Sequence, residues 1–197
     1  MTKNIFLLLF ILFSALFFGQ NFKTDMENQF RDYNSLISSK NFKKAMDLYA
    51  NEDFFKIVPK EQLIEMMEMV MNAPEMEFKM YPPENIIIDE KNVVNENGKK
   101  YLKLIYNQRL DMKFKDSKVK PEDLLSALQG EFGYNQVRYN EKTDFFEINA
   151  TKSTVANSSD FKNWKFTVIE KKQIPILKQF IPEKFLHKDL LDPHWFW

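Results

Sequence analysis

The sequence predicts an α+β domain: helices first, then a strongly curved antiparallel sheet that wraps them, then short helices near the C-terminus. Three observations predict it. Apolar residues recur at helical spacing up to about residue 71, the period drops to two near residue 75, and residues 102–114 then carry apolar residues at the even positions, Gln108 excepted.

The elements follow in order. Residues 5–18 form an apolar run broken only by Ser14, with Lys3 ahead and Gly19 and Gln20 behind. A membrane-crossing helix needs about 20 apolar residues. The shorter run therefore reads as a secretory signal peptide over residues 1–19, leaving residues 20–197 as a single domain. The mature protein is expected to be exported, periplasmic or extracellular, and soluble, with no integral membrane span once the signal is removed. No cysteine is present to form a disulfide or carry a lipid. A domain of this size buries roughly 70% of its unfolded surface and needs no covalent staple.

Thr24 and Glu27 match a capping box, and Met26, Phe30, Tyr33 and Ile37 share one face of the helix it would open. Residues 38–41 end that helix. Phe42, Ala45, Met46 and Tyr49 repeat the pattern behind Asn41 as a cap. Pro59 opens a third helix that carries Leu63, Met66, Met67 and Val70 inward. Met76, Phe78 and Met80 then mark a strand that Pro82 and Pro83 stop, and residues 86–94 read as extended.

Asn97-Gly98 offers a left-handed turn into a strand over residues 99–114. Its even positions are Leu102, Leu104, Tyr106, Gln108, Leu110, Met112 and Phe114. Lys103, Asn107, Arg109, Asp111 and Lys113 stand opposite, so one face is expected to be apolar and the other wet. At ~3.3 Å per residue the strand runs about 50 Å, so it must bend or bulge. Residues 120–130 read as a helix with Pro121 first, Glu122 and Asp123 on its positive end, Leu124, Leu125 and Leu128 inward, and Gly130 as the cap. Strands follow over 135–139, 145–150 and 164–169, with Trp164, Phe166 and Val168 on one face. Residues 174–191 hold one or two short helices around Pro182.

The segment NFKKAMDLYANED at 41–53, followed by an apolar stretch, Pro59 and the helix containing Glu61, Leu63, Met66 and Met67, resembles the opening of nuclear transport factor 2-like domains. That superfamily includes ketosteroid isomerase and polyketide cyclases of the SnoaL type. The resemblance covers about residues 24–170 in topology and about 40 residues in pattern. It implies a cone, a curved sheet around helices, with a pocket at one end. In isomerase-like members a tyrosine of the first helix donates to the reacting oxygen, and Tyr33 stands at the matching place. Their general-base carboxylate lies just before the proline after the second helix, where this chain has Ile57 and Val58. Neither accepts a proton, so no catalytic residue is assigned. Tyr33 equally fits a core tyrosine on an apolar stripe.

Composition excludes other chemistries. Glycine numbers 4 and histidine 2, which leaves no glycine-rich phosphate cradle. Basic and acidic residues balance at 28 each, which argues against nucleic acid. His187 and His194 lie seven residues apart, about 10.5 Å along a helix at 1.5 Å per residue, so no metal and no cofactor is expected. Gln108 interrupts an apolar face and must find partners. It lines a pocket, is turned outward by a bulge, or bonds within the core. Six methionines between residues 66 and 80 suit either an adaptable apolar site or gap-filling.

Three functions remain open. The leading one is non-catalytic binding of a small hydrophobic or amphipathic ligand in a cone pocket, with Tyr33, Met67, Tyr106, Gln108 and Trp164 as the ligand-binding residues. The second is an interaction or structural module with a filled core, using the tail His194-Trp195-Phe196-Trp197 or a sheet face; a homodimer is left open as a partner. The third is an isomerase or dehydratase with a non-standard acid-base pair.

Overall fold

The computed structural model describes residues 22–115 and 118–186. The expected signal peptide, both histidines and the aromatic tail lie outside them. Within them the fold is α+β, with five α-helices and a six-stranded antiparallel sheet.

Helix α1 spans residues 22–38 and buries Met26 and Phe30 completely, the stripe the spacing predicts. Thr24 lies inside the helix rather than at its cap. Glu27 accepts from Arg31 one turn on (2.7 and 3.0 Å) instead of reaching back. Three further bonds tie α1 to loops of the sheet. Gln29 donates to the Lys162 carbonyl (2.7 Å) and accepts from the Trp164 amide (2.9 Å), while Arg31 donates to the Pro83 carbonyl (2.9 Å). After Lys40, at φ 60°, α2 (Phe42–Tyr49) buries Phe42, Ala45 and Met46, and Asn41 precedes it without a side-chain cap bond.

Helix α3 (Lys60–Met71) begins one residue after Pro59. It packs on α1 and α2 through Leu63, Ile64, Met67 and Met71. Met66 and Val70, expected inward, are 53% and 51% exposed. At 100° per residue the buried stripe is rotated about 60° from the predicted one, because its neighbours press on that side alone.

Strands β1 (Met76–Met80), β2 (Glu84–Glu96) and β3 (Lys99–Phe114) follow. Asn97 and Gly98 adopt φ of 50° and 72°, the pair of positive values a type I′ hairpin requires. After α4 (Pro121–Phe132) come β4 (Val137–Asn140), β5 (Phe145–Ser158), β6 (Lys165–Ile169) and the short α5 (Ile174–Leu177). Gly133, at φ 106°, ends α4, and Gly130 lies within it.

β3 and β5 form the middle of the sheet. They pair without a register shift from Lys100↔Ser158 to Met112↔Phe146. β2 and β1 share the free edge of β3, and β6 and β4 share that of β5. No pairing joins the two edges, so the sheet is open. The extra residues that shift register lie in β2, between Glu84 and Ile87 and between Asp89 and Val94. The bulge considered for β3 is absent from its pairing with β5, and Gln108 stays on the inner side.

The even-numbered side chains of β3 face the helices. Leu102, Leu104 and Tyr106 join Met26, Phe30, Ala156, Trp164 and Phe166 in one core. Leu110, Met112 and Phe114 join Ile148, Phe146 and the α4 residues Leu124, Leu125, Leu128 and Phe132 in another. The opposite face is not wet throughout. Tyr101, Val155 and Ile169 are buried beneath Leu177, Ile181, Phe185 and Leu186, so the chain after β6 folds back over the outer side of the sheet. Asp111, 5% exposed, accepts from Arg109 (2.9 and 3.0 Å) and from the Tyr81 hydroxyl (2.8 Å).

Candidate functional site

Two helices divide the work of covering the inner face. α1, of 17 residues, is about 26 Å long at 1.5 Å per residue, whereas β3, of 16 residues, extends about 53 Å at ~3.3 Å per residue. One helix covers half such a strand. α1 packs on Leu102 to Tyr106, and α4 packs on Leu110 to Phe114. Between them stand Gln108 and its ladder partner Ala150, whose methyl fills little space.

A cavity of about 260 Å³ opens there, not fully enclosed. Tyr33, Asn34 and Ile37 of α1, Met67 of α3 and Phe132 of α4 form its helical walls. Met80, Tyr106, Gln108, Leu110, Ile148, Ala150, Lys152 and Val168 form its sheet floor. Eight of the thirteen are apolar and none is acidic.

The polar atoms have distinct states. Gln108 spends its amide nitrogen on the Tyr81 carbonyl (2.6 Å) and the Arg109 carbonyl (3.2 Å), which leaves its side-chain oxygen as an acceptor. Asn34 likewise donates to the Phe30 carbonyl (2.8 Å) and keeps its oxygen. Neither the Tyr33 nor the Tyr106 hydroxyl bonds to another of the described residues. Burial pushes Tyr33 up to about 12 and holds Tyr106 well above its ordinary value, with the nearby Tyr33 and Glu170 adding to the rise. Both are therefore neutral phenols able to donate. Tyr33 keeps some accessible surface because part of its ring looks into the cavity.

Lys152 lies on the inner face directly across the ladder from Tyr106. Its ammonium donates to Glu170 (2.7 Å) and stands 5.7 Å from the centre of the Phe132 ring. Among the described residues no cluster of histidine, aspartate and glutamate is arranged to hold a metal ion.

Tyr33, Met67, Tyr106 and Gln108, four of the five residues singled out from the sequence, meet at this cavity. Trp164 does not. It is fully buried with Met26 and Phe22 at the other end of α1, and its indole nitrogen bonds to none of the described residues. Trp164 does share a core with Phe166, as the alternation places it, but it stands one residue before β6 begins, away from the cavity. Sequence reasoning missed Asn34 and Lys152. Asn34 continues the Met26, Phe30 spacing by one more turn, a signal passed over because the residue is polar. Lys152 falls beyond residue 150, where the strand was expected to stop, although the alternation 146, 148, 150 leads straight to it.

No known protein family, curated protein or solved structure matches this chain. Among the described residues, no helix is long and apolar enough to cross a membrane.

Proposed function

We propose that this protein binds a small hydrophobic or amphipathic molecule in the cavity between α1, α4 and the sheet, acting as a binder rather than a catalyst. On this reading the sheet and its helices form the cone of a nuclear transport factor 2-like domain, and the cavity is the space the cone keeps open. One observation carries the reading: a hollow of about 260 Å³ whose lining is mostly apolar with a few unspent polar atoms. That composition is typical of small-molecule sites. The volume exceeds the ~150 Å³ apolar cavity that admits benzene, so a ring or short chain fits. A module with a filled core has no need of such a space.

The test is stability of the purified full chain in urea with and without 1-octanol or naphthalene, together with mass spectrometry of its organic extract. A ligand present at 100 times its Kd raises unfolding free energy by about 2.7 kcal/mol. If no apolar probe stabilises the fold and the extract holds nothing bound, the reading is wrong.

A further inference from the structure

We propose that the cavity selects an apolar monocarboxylic acid, whose carboxylate is held by the Lys152 ammonium and the Tyr106 hydroxyl while its apolar part lies against Ile37, Met67 and Met80. This rests on the binding reading above and names the ligand class for the same site.

The argument begins with where the charge is. Lys152 is the only cation lining the cavity, and no carboxylate lines it. It occupies an inner-face position, flanked along β5 by Ala150 and Thr154 on that face and faced across the ladder by Tyr106. A lysine there loses hydration that an apolar residue would not need, and it is tolerated only when paired. Its partner comes from outside: Glu170 follows the last residue of β6, and its side chain is 43% exposed against 24% for Lys152. An acid reaching in from solvent to a base on the inner face marks the position a ligand carboxylate would take.

The exchange is inexpensive. Glu170 returns to water from a place where its side chain is already 43% exposed, while Lys152 exchanges one carboxylate partner for another. The incoming acid gains a charge-assisted bond in a drier setting, plus the neutral Tyr106 phenol as a second donor. An amine ligand would meet the ammonium as a like charge, and an alcohol, carrying no charge, would leave Lys152 on Glu170.

The experiment is calorimetric titration of the full chain with octanoate and with 1-octanol at neutral pH, which share a chain length and differ in the head group. The wild type should bind octanoate about tenfold tighter or more, the ratio a charge-assisted bond of ~1.4 kcal/mol gives. Lys152→Met should abolish that preference, so that octanoate binds the variant no tighter than 1-octanol does. Glu170→Gln, which removes the competing carboxylate, should tighten octanoate. It also decides the matter if Lys152→Met does not fold. Equal affinity of the wild type for both probes, octanoate binding unaffected in Lys152→Met, or no tightening in Glu170→Gln would overturn the proposal. Failure of both probes to bind removes the binding reading as well, whereas 1-octanol binding without carboxylate preference removes this inference alone.

Discussion

Replacing Ala150 with leucine tests the hollow through the sign of a free energy. Ala150 is 9% exposed, pairs with Gln108 on the inner face and lines the cavity. Ala150→Leu adds three carbons. At about 0.8 kcal/mol per buried methylene they contribute roughly 2.4 kcal/mol, from which leucine's lost rotamer freedom removes about 0.5–1 kcal/mol. The expected outcome is stabilisation of about 1.5–2 kcal/mol. A site already packed at interior density would respond oppositely, losing about 1–3 kcal/mol to displaced side chains. Equilibrium unfolding in urea measures the difference, with an unchanged slope showing that the same surface is exposed on unfolding. The same variant should bind 1-octanol more weakly, since the leucine occupies part of the space. Destabilisation by ~1 kcal/mol or more, or undiminished binding, refutes the claim that this part of the inner face is open.

Other outcomes follow from the same geometry. Leu104 is fully buried against α1, so Leu104→Ala should cost about 3–5 kcal/mol in the same urea assay. Tyr33→Phe removes a hydroxyl that bonds to none of the described residues and should change stability by less than about 0.5 kcal/mol, although it alters ligand affinity. Burial holds Tyr33 at about 12 and raises Tyr106 too. Unfolded tyrosine titrates near ~10 and therefore loses its proton first, so stability is intact below that pH and falls above it by up to about 1.4 kcal/mol per unit for each residue. Phenolate absorbance should show these two ionising above the ordinary tyrosine range. Asp53 sits on Lys56 (2.6 Å) and Lys99 (2.5 Å), which hold its carboxyl below the ordinary value. Its contribution is present above about pH 4 and is lost as pH falls through the lower folded value. Asp53→Asn should flatten that part of the acid-stability profile.

What the sequence disclosed, it disclosed through strong local signals. β3 was legible to the residue, because its alternation is unbroken, the Asn97-Gly98 turn fixes its start and Phe114 closes its apolar face. Its inward side was legible too, since a one-residue slip would have exposed Leu102 and Leu104. The buried face of α3 was misjudged because seven apolar residues crowd twelve positions, so the pattern permits several stripes and only the position of α1 and α2 selects one. The second half of β5 was missed because residues 151–158 are largely polar. Their extension is imposed by the pairing partners β3 and β6 rather than by propensity. The dry outer face at Tyr101 depends on a segment some 80 residues later, which no local reading of β3 could supply.

The cavity itself belongs to no single segment. Along the inner face, consecutive ladder pairs run Leu102↔Ala156, Leu104↔Thr154, Tyr106↔Lys152, Gln108↔Ala150, Leu110↔Ile148 and Met112↔Phe146. Apart from Thr154, the polar side chains of that series fall in two adjacent pairs, at the place where α1's cover gives way to α4's. A sheet built for stability alone would fill that stretch with leucine or valine, which need no hydrogen-bond partner. Here the hydroxyls of Tyr33 and Tyr106 and the oxygens of Asn34 and Gln108 are left unspent around a common space. On the proposed reading, a solute carrying its own oxygen acceptor on an apolar frame meets the hydroxyls and the hydrocarbon walls at once.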